Sequence, residues 1–592
     1  MHKTKGILLL LLLLSALPVQ AVTLQEVQHM AVIGAPTLAL KLLERDQPPA
    51  GQDINIWMDW EHQRIDLASR LRRWQVIDQR LSILPPEADD AFRLWATARR
   101  GKALLEQGKP EQALVAARQS LWVISGQAES ASMPLRLLII RAYLNMGKLT
   151  DAETAMIRFR QDYPQIDINS LQAEILLRVG RYDDAAELFK QYKGGDQRAL
   201  RFLAQLESGQ EQPAALGKRI LWVLRKSKLT DTDTMRLWQL VARSAETSGL
   251  YVRRINALHK AMMTASQIKK ANDSGLDALF PIRGTDLWDA YLDYGQFVAN
   301  RQQLLTGQDE QWAAAAGNVM ENKPLQAAAL WAVLAQNSIQ ANNQLQAHAH
   351  FSELLMKQKQ GAVALRYIYL KKDSPLTATS LPEHIKHQLA DAALAWGDLA
   401  LASRLMGQLT TAPEGKEGLD WYMRRARILL LGGQVDEGIQ ALHDLLDQYR
   451  VMPRLSLDRL MQVLFDLQAL ERHQDAIALF KKLPVPVTDM QLQREVAYWI
   501  AESYSKQKDY TSAAAMYLQS ATLPGPNTMD PWAETARYHA ADNMAKAGLV
   551  NDARYIYRQL LKITKDESRR TVIRNRMQQL LLTSQRKGSD HE

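Results

Sequence analysis

The 592 residues contain no cysteine. That excludes a disulfide framework, thiolate metal sites, a cysteine nucleophile and a lipid-modified N-terminal cysteine. Glycine (29) and proline (21) both fall below the roughly 7% and 5% of an average chain, so helices meet few breakers. The chain has no phosphate-cradling glycine loop, no His-Glu-x-x-His and no Gly-x-Ser-x-Gly elbow. Beyond the N-terminal segment no stretch approaches 18 uncharged apolar residues, and no alternating strand series suggests a barrel. What is present is the composition of a folded chain, 47% hydrophobic and 23% charged, which excludes disorder as the main state.

Residues Met1 to Ala21 read MHKTKGILLLLLLLSALPVQA: two lysines, an unbroken apolar run from Ile7 to Leu14, then Val19-Gln20-Ala21. The run is too short for the ~20 apolar residues that span a bilayer, and the small residues fit a cleavage site. Residues 1–21 are therefore expected to be a signal peptide removed after Ala21. No twin-Arg precedes the run, so general export is expected, giving a periplasmic protein or, alternatively, a secreted one with no transmembrane segment in the mature chain. Loss of Lys3 and Lys5 lowers the formal charge from +9 to +7, a mild bias toward anionic partners.

Self-similarity organises the remainder. Gly101–Leu121 (GKALLEQGKPEQALVAARQSL), Ile140–Phe159 (IRAYLNMGKLTDAETAMIRF), Ala173–Tyr192 (AEILLRVGRYDDAAELFKQY) and Ala541–Leu560 (ADNMAKAGLVNDARYIYRQL) share one pattern. Each has a small or apolar residue, then a glycine, then an alanine five positions later. The glycine suits the left-handed residue that ends a helix, and the alanine lets a second, antiparallel helix approach closely. The predicted unit is a helical hairpin, with structural turns at Gly108, Gly147, Gly180, Gly397, Gly433 and Gly548.

These residues resemble the tetratricopeptide repeat family, and the second unit carries Tyr143, Gly147, Ala152 and a closing Pro164 where that family has them. The resemblance is clearest over Ala96–Tyr192 and Asp420–Thr564. Further units fit around Gly249, Gly397, Gly433, Glu471 and Lys508, the last two with a charged residue at the turn. Arg254 and Gly438 replace the alanine, and units around Ala327 and Ala347 have no turn glycine. The implied fold is all-α, a right-handed α-solenoid of degenerate hairpins. Its expected divisions are a helical N-terminal cap (22–90), a first array (91–265), an insertion and helical connector (266–310), a second array (311–582) and a disordered tail (583–592). The insertion interrupts the rhythm yet holds Leu276, Leu279, Phe280 and Ile282, which suits either a connection packed on the array or a binding or hinge element.

Catalytic leads are few. Glu502-Ser503 matches the motif of lytic transglycosylases, but SYSKQKDYTSAAAMY runs on into a repeat hairpin instead of a globular catalytic domain. His384, His387 and Asp391 share a helix face at i, i+3, i+7 without a second contributing helix, so a solvated face is preferred to a metal site. His348 and His350 point to different faces. Most of the 14 tryptophans are expected in the core, although Trp57, Trp60, Trp74, Trp95, Trp122 and Trp532 lie off the family's usual tryptophan position, which Trp238 occupies. No enzyme activity, cofactor or metal is expected.

The resemblance implies a concave groove lined by the first helix of each repeat. Its candidates are Lys102, Arg141, Arg178, Arg236, Gln239, Arg243 and Arg427, with Glu174, His387 and Asp391 beside them. The excess of cations in the first half suits either an acidic or carboxylate-bearing ligand or, more ordinarily, a solvated charged face. The chaperone-binding carboxylate clamp of some relatives is not reproduced. The expected role is a non-enzymatic periplasmic scaffold holding envelope proteins or peptides, with no nucleic-acid partner. The alternative is an accessory that binds an acidic exopolysaccharide and works with a separate outer-membrane pore.

Overall fold

The computed structural model describes residues 23–32, 35–123, 129–191, 197–268, 278–359, 361–413, 415, 418–523, 525 and 530–589, without the side chains of 123–131, 191 and 581–589. The expected signal peptide lies outside the described residues. Among those described, helices and turns account for the regular structure and no strand occurs. The chain forms two compact units, Met1–Ile282 and Arg283–Glu592. The division falls within the 266–310 stretch.

In both units consecutive helices pack as antiparallel pairs, and the first helices of successive pairs also touch, as Asp90–Glu106 does Glu129–Asn145 and Gly418–Leu431 does Arg454–Ala469. The fold is thus all-α and built of stacked hairpins. The close approach rests on Ala113, Ala152, Ala185 and Ala553, all fully buried. Gly438 explains its own departure from alanine, because a Cβ there would lie 2.7 Å from the Leu430 side chain. Arg254 is accommodated by pairing with Glu246 at 2.8 Å.

The hairpin turns share one geometry. Gly108, Gly147, Gly180, Gly397, Gly433 and Gly548 have φ between 70° and 96°. In each, the following amide donates back into the first helix, as from Lys148 to the Tyr143 carbonyl at 2.9 Å. Glu471 (φ 60°) and Lys508 (φ 66°) occupy the same place, with Arg472 donating to Leu467 and Asp509 to Tyr504, both at 3.0 Å. A left-handed backbone costs an L-residue roughly 1–2 kcal/mol, part of which glycine returns through its freer unfolded chain. Glu471→Gly and Lys508→Gly should each stabilise the protein by about 0.5–1 kcal/mol, read as a higher urea midpoint at unchanged slope. A fall in midpoint for both would show that the side chains outweigh the strain.

The same turn appears where the pattern was unreadable. In the N-terminal cap, Ile54–Arg70 and Trp74–Leu81 are joined through Arg72 at φ 54°, with the Arg73 amide donating to the Ala68 carbonyl at 2.8 Å. Beyond the cap, the loop between Arg198–Glu207 and Pro213–Lys226 shares only the left-handed residue, Gly209 at φ 66°. The pair Pro324–Asn337 and Ala341–Met356 instead turns through Ser338, whose hydroxyl donates to buried Asp309 and accepts from the Gln340 amide. Its first helix is buried continuously from Ala327 to Ala335, so alanine density replaces the turn signal there. The last helix, Glu567–Ser589, continues past Leu582, where the array was expected to give way to a disordered tail; nothing in TSQRK breaks it, and 590–592 lie outside the described residues. No helix among the described residues is long and apolar enough to cross a membrane.

Candidate functional site

In the first unit, Asp90–Glu106, Glu129–Asn145 and Asn169–Val179 form one wall of a groove of about 770 Å³. Trp95, Arg99 and Lys102 recur at helical spacing on the first helix, Leu137 and Arg141 on the second, and Glu174 comes from the third. The floor is apolar, with Leu94 and Leu138 buried beneath it. Gly101 permits that floor, since a Cβ on it would strike the Leu138 side chain at 2.1 Å. Lys102 and Arg141 are both exposed and have no hydrogen bond or carboxylate ion pair among the described residues. Arg99 is held by Asp66 at 3.2 Å.

Glu174 is 3% exposed and pairs with Arg178 at 3.0 Å. Burial pushes its pKa above the usual carboxylate range, against the pull of Arg178, Arg141 and Arg236. Arg178 is also turned inward: it donates to the Leu144 carbonyl at 3.2 Å, clipping the C-terminal end of the preceding first helix. It is a brace within the wall, not a side chain offered to a ligand as the sequence suggested.

The next three candidates are corrected in the same way. Arg236 and Gln239, on Asp231–Thr247, are buried, and Arg243 is half-buried. The Gln239 amide donates to the carbonyls of Phe280 and Pro281, both at 3.1 Å, and Arg243 to that of Leu279 at 2.7 Å. The Arg236 guanidinium lies 5.6 Å from the centre of the Phe280 ring. The chain's own insertion covers this stretch of helix face. Only its apolar residues in a connecting segment hinted at that.

In the second unit the inner charges neutralise one another across successive hairpins. Arg427 meets Asp466 at 2.7 Å, Asp391 meets Arg424 at 2.7 Å, Arg459 meets Asp420 at 2.8 Å and Arg494 meets Asp530 at 2.7 Å. Arg427 is therefore spoken for. His387 is buried with its ring 5.4 Å from that of Trp421, while His384 points to Glu353 at 3.2 Å, so the three-residue face is not brought together. No group of side chains suited to a metal ion occurs among the described residues. His348 faces the Tyr369 hydroxyl inside the core and His350 pairs with Glu353 at 3.6 Å.

Glu502 accepts a hydrogen bond from Tyr517, and Ser503 is fully buried, accepting from the Gln468 amide at 2.7 Å. Both are fixed inside a hairpin. Among the tryptophans, Trp57, Trp60, Trp288, Trp312, Trp331 and Trp421 are buried, whereas Trp122 is 85% exposed. Trp95 packs edge-on against His62 and tilted against Phe92, leaving only part of it to the groove.

Residues 137–199 match the tetratricopeptide repeat family. The chain is similar at 12% identity to a chain of the APC/C hetero-tetramer Cut9–Hcn1, over 95% of this chain and 97% of that one, with a TM-score of 0.27. It is similar at 11% identity to yeast Tom70, over 84% and 97% of the two chains, with a TM-score of 0.21. No curated protein matches the sequence.

Proposed function

We propose that the protein is a non-catalytic scaffold of the bacterial periplasm, and that the groove of its first unit binds an extended, acidic peptide segment of an envelope partner. Repeats of the family matched by residues 137–199 are built for protein contacts. The observation that carries the reading is the pair of exposed cations, Lys102 and Arg141, set beside an apolar floor with no hydrogen bond or carboxylate ion pair among the described residues. Arg141 acts only at a distance on buried Glu174, and Lys102 lies 5.9 Å from the centre of the Trp74 ring. An extended segment alternating apolar and acidic residues would lay one set on Leu94 and Leu138 and the other on the cations. The partial packing of Trp95 against His62 and Phe92 gives less support to sugar stacking, and so to the exopolysaccharide alternative.

The test is binding of a fluorescein-labelled Asp/Leu decapeptide to protein purified from a periplasmic fraction, with Val22 expected as its first residue. Lys102→Glu and Arg141→Glu should each weaken binding at least tenfold, and wild-type affinity should fall steeply with salt. Wild-type affinity in both variants would refute the groove. An uncleaved chain in the cytoplasmic fraction would refute the compartment.

A further inference from the structure

The face of Asp231–Thr247 is covered by Leu279–Pro281, a turn at Leu279 and a bend at Phe280 that bring successive carbonyls to one side. Its two polar side chains hold three consecutive backbone carbonyls, those of Leu279, Phe280 and Pro281. Backbone carbonyls belong to any peptide, so these bonds provide attachment without reading sequence. Selectivity comes from the middle residue. Phe280 is 2% exposed, with the Arg236 guanidinium over its ring. Pro281 adds two features: it disfavours a helical conformation at Phe280, and it brings no amide N–H that the covered face would have to satisfy. An aromatic residue followed by proline is thus what the site selects.

The resident segment does not exhaust the site. Gln239 is 5% exposed, and its Oε1 is buried with no donor among the described residues, although its amide nitrogen is fully used. A buried acceptor without a partner is destabilising, because it has given up its bonds to water and made none in return. An occupant placing one N–H on that oxygen would gain a bond that Leu279–Pro281 does not make.

We propose that this face is a second binding site, separate from the Lys102/Arg141 groove, for a turn-forming aromatic–proline segment of a partner protein, with Leu279-Phe280-Pro281 as its resident occupant. A partner segment displaces the resident one and takes over its carbonyl contacts. The proposal does not depend on the acidic-peptide reading.

The probe is an N-acetylated, C-amidated peptide copying residues 278–283, Ala-Leu-Phe-Pro-Ile-Arg, with a fluorophore on its arginine end. It carries no carboxylate, so its outcome is independent of the acidic-peptide test. Binding is followed by anisotropy to the full mature chain and to Phe280→Ser, which empties the aromatic position. The variant should bind at least tenfold more tightly than wild type, adding Gln239→Leu should abolish the gain, and the peptide with serine for phenylalanine should not bind. No gain in Phe280→Ser, or a gain indifferent to Gln239→Leu, would overturn the proposal. If circular dichroism shows Phe280→Ser unfolded, Pro281→Gly loosens the segment without removing a core side chain and should give the same gain. If both variants unfold, the segment is an obligatory part of the core and the proposal fails.

Discussion

Gly295→Ala should destabilise the second unit by about 2 kcal/mol, while the same substitution at Gly317 should stabilise it by about 0.5–1 kcal/mol. Both glycines lie inside helices, Gly284–Val298 and Asp309–Val319, so alanine gains about 1 kcal/mol of helix propensity at each. The surroundings decide the sign. At Gly295 the new Cβ would sit 2.4 Å from the Ala329 carbonyl oxygen and 2.6 Å from a Val333 methyl. The first of these is backbone of the neighbouring helix Pro324–Asn337 and cannot rotate away. Separating two packed helices enough to admit the methyl costs about 1–3 kcal/mol, occasionally more, and exceeds the propensity gain. At Gly317 nothing lies within 4 Å of the added carbon. Urea unfolding of the two variants beside wild type measures the contrast. Shifts of the same sign would mean that the helix contact at Gly295 is looser than its geometry.

The same contrast explains what the sequence disclosed. Hairpins are legible where glycine and alanine each meet a requirement that no other residue meets as cheaply, as at Gly147 with Ala152. They were illegible in the cap, because Arg72 holds the left-handed turn at an energetic cost that leaves no compositional trace. Helical spacing also put Lys102 and Arg141 on the faces that line one groove. Spacing states which way a side chain points and is silent about what meets it there. Arg178 meets a carbonyl 34 positions away, and Gln239 meets two that are 41 and 42 away. Arg427 meets a carboxylate 39 positions on. Such partners come from the stacking of hairpins whose loop lengths vary, so the repeat pattern does not specify them. Phe280 was the exception, since a large apolar residue in a polar connection needs somewhere to be buried.

Acidification should weaken each unit chiefly through one deeply buried histidine, with His62 in the first unit and His539 in the second, both lowered by burial, adding in the same sense. His259 in the first unit is 6% exposed, and burial lowers its pKa to about 4. His348 in the second is equally buried, its Nδ1 lies 2.9 Å from the Tyr369 hydroxyl, and burial again lowers its pKa to about 4. In the unfolded chain both titrate near the ordinary value of 6.5, so between there and about 4 the unfolded state binds more protons. Their stability contribution is complete above pH 6.5 and declines on acidification by about 1.4 kcal/mol per pH unit for each, about 3 kcal/mol per pH unit for the two together. Two carboxylates act differently. Asp530, held down to about 2 by the Arg494 hydrogen bond, loses its contribution only below the usual aspartate range. Glu174, with a raised pKa, works in the opposite sense and gains as it is protonated. The steep loss between pH 6.5 and 4.5 is therefore assigned to histidine. Thermal melting across that range should show a drop that His348→Gln reduces and that His259→Asn with His348→Gln reduces further, leaving the part due to His62 and His539. A double variant as acid-sensitive as wild type would mean that other groups set the response.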